Sequence, residues 1–600
     1  MHRVFCGCLL LAGLIAGCGR ANAEPVHAIA MHGEPALAEG FSHFPYARPD
    51  APKGGRLRLG MPGSFDSVNP LIVKGEKVSG VREFSVESLM ARGLDEPFTL
   101  YGLLAERVEV PEDRTSITFY LNPKAAFADG VPVTADDVIF SFELLRDKGV
   151  PTIHRAHYKK VLSTERISER VVRMNMDGQD RELPLILGLM PVLPKHKIDA
   201  ATFDQSTLTP LLGSGPYQVS RVDPGRSITY KRDPNYWGRD LPVSQGRFNF
   251  DEIRYDYYRD ASILLEAFKT GQIDVRVDDD PTMWAKTGAF KAAVDGRVVR
   301  EELPTGLPAG MNGLVMNSRR PQFADPRVRQ ALILLFDFEW INGTLYDGRY
   351  KRTQSYFERS YLASTGRPAD ARERDLLAPF AGQVKPDVMD GTFRMPVSDG
   401  TGFNRENTRR ALELFQAAGY ALRGERLVHK ETGVQFGFEI LVTKGGSERL
   451  MLAYIAGLKS LGIGAALRSI DSTQLIGRIN TFDFDIIMQT WQQSLSPGNE
   501  QWGRFGSPAA KAQGSRNYAG VNNPAVDAMI TALLAERDPD GFASAVRALD
   551  RVLISGDYVI PLFHVPSEWV SFWRTLRHPE KIPLSGYNID TWWAEPQKAQ

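Results

Sequence analysis

After Cys18 the 600-residue chain contains no cysteine; its three cysteines, Cys6, Cys8 and Cys18, all fall within the first 18 residues. A chain cut beyond that segment has no disulfide, no thiol nucleophile and no thiolate metal site. An excess of one charge is also missing. The 72 Lys+Arg balance 72 Asp+Glu, which excludes a broadly basic nucleic-acid binder. No stretch after the N-terminus approaches 18 consecutive apolar residues, so the mature chain is expected to be soluble. There is no repeat with a 20–50-residue period and no low-complexity tract, which argues against a solenoid.

The common catalytic signatures are absent as well. No GxxxxGK[ST] phosphate loop and no HExxH helix occur. His154 and His157 form HxxH with no glutamate between them and read as surface histidines beside Lys159 and Lys160. Gly213-Ser214-Gly215 precedes Pro216-Tyr217 as a tight turn and lacks nucleophile-elbow spacing. Gly462-Ile463-Gly464 follows a helix rather than a strand, the wrong setting for a dinucleotide fingerprint. The run Asp278-Asp279-Asp280 ends in Asp280-Pro281, an N-cap and N1 pair, so its acids suit a helix start better than a cation. No catalytic residue, metal site or cofactor is expected, and a secreted hydrolase is the disfavoured alternative.

What is present begins with export. His2-Arg3 precedes an apolar run from Val4 to Gly17, and Ala21-Asn22-Ala23 is a small-x-small cleavage site before Glu24. The apolar run falls short of the roughly 20 residues that span a bilayer. The expected cut leaves Glu24 first and places the protein in the periplasm. Leu14-Ile15-Ala16-Gly17-Cys18 is a competing lipobox, with Cys18 lipidated. Removing Arg3 and Arg20 leaves 70 basic against 72 acidic residues.

Beyond residue 24, a Pro- and Gly-rich lead-in reaches residue 56, then strands and helices mix over the whole length. Arg56–Gly60, Glu106–Val110, Ser116–Tyr120, Val171–Met174, Ile228–Lys231 and Ile253–Tyr257 read as strands. Helices are expected after Thr134, from Ala261 to a stop at Gly271, after Asp325-Pro326, and from Asn404 to Gly419. Residues 450–488 read as helix, strand, short helix, strand, a lobe with its own sheet. The fold class is therefore α/β. Trp491, Trp502, Phe505, Tyr518 and Tyr217 sit among Gln, Ser, Asn and Gly in loop-like stretches, a composition that suits the walls of a ligand cleft. Each aromatic taken singly equally suits a core anchor.

AFADGVPVTADDVIFSFELL (residues 126–145) resembles the signature of the family 5 extracellular solute-binding proteins of bacterial ABC importers, with Ala128 replacing the usual His. GSGPYQV (213–219), RDPNYWG (232–238), EAFKTGQIDV (266–275) and FADPRVRQAL (323–332) follow in the family's order. FPYARPDAPKGGRLRLG, GRFNFDEIRYDYYRD, LFDFEWIN and the terminal DTWW are similar to the YejA-type oligopeptide-binding branch, associated with microcin C-like and murein-derived peptides. The resemblance implies a two-domain, three-lobe, hinge-closing binding protein. It implies lobe I from residues 24–92, 207–308 and 559–600, lobe II from 93–206 and lobe III from 309–558. It further implies a peptide ligand, delivery to inner-membrane permease subunits with their ATPases, no cofactor, no nucleic acid and a monomer.

The departures bear on the ligand. Family members that bind oligopeptides carry W-x-x-D in lobe III, whose Asp meets the peptide ammonium. Here Trp491-Gln492-Gln493-Ser494 puts Ser494 at that place. A neutral hydroxyl does not compensate a buried ammonium. Near the lobe I wall, Val68-Asn69-Pro70 is followed by Lys74 where those receptors carry an acid. Both changes point to a ligand with a blocked amine or extra carboxylates, with Lys74, Arg504 and Arg516 as anion partners. The expected ligand-binding set is Lys74, Tyr217, Trp491, Gln493, Ser494, Trp502, Arg504, Arg516, Asn517 and Tyr518. A glycan, an opine or a metal chelate held by the same fold is the alternative, because fold does not fix ligand.

Overall fold

The computed structural model describes residues 24–443 and 447–595; the expected signal segment lies outside the described residues. No helix among them is long and apolar enough to cross a membrane. The local signals fold as their chemistry dictates. The Asp137 carboxylate accepts from the Thr134 N–H and hydroxyl, both at 2.9 Å, to open the helix Ala135–Lys148. Asn404 accepts from Asn407 N at the start of Arg405–Ala417, and Asp280 from Met283 N at the start of Pro281–Gly288. Gly271 and Gly462 end their helices with φ of 72° and 75°, a backbone region that a Cβ disfavours.

The strands form three lobes. In lobe I, Arg56–Pro62 runs parallel to Glu252–Tyr258, and Ser227–Arg232 and Tyr217–Asp223 extend the sheet antiparallel. A second lobe I sheet pairs Glu568–Trp573 with Val275–Asp278 on one side and Val298–Leu303 on the other. Lobe II is an antiparallel sheet in the order Ala105–Glu109, Ser116–Leu121, Val171–Met176, Val161–Ser168. Lobe III is a five-stranded mixed sheet in the order Gly464–Ile470, Gly437–Thr443, Ile486–Trp491, Met311–Met316, Val559–Pro561. Val559–Pro561 pairs with Gly313–Val315, and Phe563 pairs with Arg352 of lobe III. Lobe III therefore runs to His564, past the expected boundary at 558, because the returning chain adds an edge strand before it leaves.

Alternation in the lobe III strands fills two layers. Leu314, Met316 and Ile486 face a core with Leu332, Met451 and Tyr454. Met311, Val315 and Ile487 face the opposite core with Met529, Val546 and Leu549. Lobes I and II instead share one continuous core, in which Leu57 and Tyr230 join Phe119, Val138 and Leu187. The molecule is thus two bodies, lobes I+II and lobe III. Two chain crossings join them, one between Leu303 and Met311 and the other between His564 and Glu568. Arg359, with left-handed backbone (φ 71°), donates to Leu307 O at 3.2 Å and Val565 O at 3.0 Å, so one side chain grips both crossings.

Candidate ligand cleft

Most of the expected ligand-binding residues of lobe III sit on or beside the strand Ile486–Trp491 and the helix Glu500–Phe505. Trp491 ends its strand rather than lying in a loop, and it is buried. Its indole N–H donates to Arg516 O at 3.1 Å, and its ring lies against Tyr518 at 5.7 Å and Phe505 at 5.4 Å between centroids. Trp491 is thus a core anchor that fixes the backbone presenting Arg516. Gln493 accepts from Arg504 Nη1 and from Gln501 Nε2, both at 2.8 Å. Ser494 is exposed, and its hydroxyl accepts from Ser496 N.

Arg504 and Arg516 lie close enough for their charges to interact. Burial lowers the Arg504 pKa, Glu500 at 3.9 Å opposes the shift, and Arg516 adds to it. Arg516 is exposed and makes no ion pair with the described residues. Tyr518 is half-buried beside both cations, and Trp502 is half-buried against the lobe III core. Gln493, Ser494, Trp502, Arg504, Arg516 and Tyr518 therefore lie near one another in lobe III.

Besides the buried Trp491, three expected site residues do not join them as free groups. Asn517 is fully buried. Its amide donates to Gly506 O and Val521 O, and its carbonyl oxygen accepts from Val521 N, so it is a structural pin. Tyr217 is fully buried in the lobe I–II core, with its hydroxyl donating to Phe250 O at 2.8 Å. Lys74 is exposed but turned toward lobe II, 3.0 Å from Gln205 Oε1 and 3.9 Å from Asp204. Gly213 and Gly215 press on the backbone of Phe84 and Ser85, which explains that turn without chemistry. His154 is buried beside Val150 N, not a surface histidine.

Sequence reading missed a contact between lobes II and III. Asp180 and Glu182 of lobe II meet lobe III at residues 498–500. Asn499 Nδ2 donates to Asp180 Oδ1 at 3.4 Å, and Lys160 holds the other Asp180 oxygen at 2.5 Å. Gly498 lies so close to the Glu182 carboxylate that a Cβ there would collide with it. Burial pushes Glu182 up to about 8, Glu500 and Asp180 add to this, and Lys160 opposes it. These residues are more than 300 positions apart in the chain, so no motif joins them. The two bodies touch further at Arg537–Glu112 (2.6 Å), at Tyr350–Asp279, and at His32, stacked 3.8 Å from Phe542.

The model of the bacterial extracellular solute-binding proteins, family 5, matches residues 99–513. A Brucella melitensis protein named only as a binding protein is 49% identical over 583 residues, covering 96% of this chain and 95% of the relative. The peptidoglycan-binding protein YepA of Agrobacterium fabrum is 43% identical over 600 residues, covering 97% of each. The fold is shared with the oligopeptide-binding protein AppA of Bacillus subtilis, solved with a nonapeptide. It is 18% identical with a TM-score of 0.63, and the match covers 91% of this chain and 100% of that one.

Proposed function

The chain belongs to the family 5 bacterial extracellular solute-binding proteins, which bind solutes without catalysis, and from that premise we propose that it captures carboxylate-bearing peptides between its two bodies and hands them to an ABC permease. The peptides meant are N-blocked, antibiotic-like or murein-derived ones. The supporting observation is the pair Arg504 and Arg516 on the lobe III wall, two neighbouring cations beside Tyr518, with Arg516 free of any described carboxylate. Like charges held together are unfavourable until an anion arrives, and a guanidinium pair suits a carboxylate. On lobe II beside residues 498–500, Glu182, pushed up to about 8, holds its proton at neutral pH and can donate to a ligand carbonyl or carboxylate. An ammonium would meet the neutral Ser494 on the near wall. Two chain crossings and separate cores let lobe III move as a body, and contacts made better in the closed state drive that motion. Export ahead of Glu24 would place the receptor where a permease loads it.

Calorimetry with one acidic peptide and its amidated counterpart tests the reading. The acidic peptide should bind about tenfold or more tightly, and Arg516→Gln should remove that preference. Equal affinity for both peptides would overturn it.

A further inference from the structure

A cavity of about 570 Å³ lies where the N-terminal segment, lobe II and lobe III meet. Its floor is built by strand pairing: Val26 bridges Val108, and Ala28–Ala30 pairs with Thr99–Tyr101. Arg114 and Arg181 of lobe II and Arg537 of lobe III line it. Arg114 sits in the left-handed region (φ 51°), a conformation that costs a non-glycine residue energy and that clusters at functional sites. Its guanidinium is anchored by the carbonyls of Ala30, Met31 and Arg181 and by no carboxylate. Arg181 is half-buried. Its Nε is buried without an acceptor, and its guanidinium makes no hydrogen bond or ion pair to any described residue. Arg537 carries the one acid engaged here, Glu112, whose side chain is otherwise open to solvent. Glu24 and Glu34 also border the cavity but are exposed. Burial and then the neighbouring arginines hold the pKa of Arg114 down at about 10; burial and Arg537 lower that of Arg181, with Glu112 opposing.

We propose that this junction is an anion-binding site, separate from the peptide cleft, that takes a small multivalent oxyanion through Arg181, Arg114 and Arg537. Arg181 offers unused planar donors, the feature that matches phosphate or carboxylate oxygens two at a time. Because Arg537 arrives on lobe III and the other two on lobe II, a bound oxyanion bridges the moving bodies and favours their contact. By linkage, contact then favours the anion equally.

The test uses the mature chain without peptide, so its outcome is independent of the cleft reading. Inorganic phosphate and, separately, citrate are titrated by calorimetry at constant ionic strength set with chloride. Saturable binding of either supports the site, and the tighter of the two identifies phosphate or carboxylate as its chemistry. Arg181→Gln should weaken binding about tenfold or more. Arg537→Gln, an exposed change that spares the fold, should weaken it similarly and abolish any phosphate-induced decrease in the radius of gyration. Binding no stronger than chloride, or binding unchanged in both variants, overturns the proposal.

Discussion

Replacing Glu182 should remove an alkaline opening of the two bodies. With the lobes in contact, burial first, then Glu500 and Asp180, push Glu182 up to about 8, against the partial relief of Lys160. When lobe III swings away, the carboxyl regains water and loses Glu500, so its pKa falls back toward the ordinary 4.5. The contact state therefore binds more protons than the separated state between these values, and its advantage disappears as the pH rises through 8. Between pH 7 and 9 the separated state is already ionised, while the contact state holds on average about half a proton more over these two pH units. The cost to contact is about 1.4 kcal/mol, or about tenfold in the open–closed equilibrium. Below pH 7 a second group intervenes with the opposite sign. Burial, Arg114 and Arg181 hold His32, stacked on Phe542, down at about 4, so acid favours separation through it while Glu182 favours contact. The cleaner window is pH 7–9, above the ordinary histidine value of 6.5, where His32 is mostly neutral in both states. Small-angle scattering of the peptide-free protein should show a larger radius of gyration at pH 9 than at pH 7, and Glu182→Gln should flatten the change. An equal change in the variant, or compaction on going alkaline, would refute the reasoning.

Other expectations are local. Asn517→Ala strands Gly506 O and both backbone groups of Val521 in the core, and should lower stability by about 2–3 kcal/mol in denaturant titration. Its preference for acidic over amidated peptides should stay as it was; a stable variant with altered preference would contradict the structural role. Arg359→Ala releases two carbonyls on the two crossings, and should speed amide exchange at residues 304–310 and 565–567. Unchanged protection there would show that the crossings do not depend on this grip. Intact mass of the periplasmic protein should begin at Glu24; a lipid on Cys18 would favour the lipobox.

What could be read from the sequence was what is written locally. The helix start at Thr134, the Asn404 cap, the glycines that end helices at 271 and 462, and the alternation in the strands depend on neighbours a few residues away, and each appears near its expected place. The family signature at 126–145 is partly such a local device: Phe127 is buried, and Asp137 caps the helix. Trp491 and Tyr217 were harder, because a tryptophan or tyrosine among polar residues looks the same whether it lines a cleft or fills a core. Tertiary packing decides, and both are buried. Asn517 has the composition of a ligand contact but spends all its hydrogen bonds on a turn. The apposition of Glu182 with Glu500, and of Arg181 with Arg537, was illegible, since only the meeting of lobes II and III makes neighbours of residues so far apart in the chain.

The central claim is that the solute is a peptide rich in carboxylates. Mass spectrometry of whatever co-purifies with the protein from its native compartment tests it most directly. The prediction is a peptide carrying two or more carboxylates, with a blocked amine or a murein-type composition, lost on Arg504→Gln/Arg516→Gln substitution. Recovery instead of a glycan, a metal chelate, or a basic peptide with a free amine would contradict it.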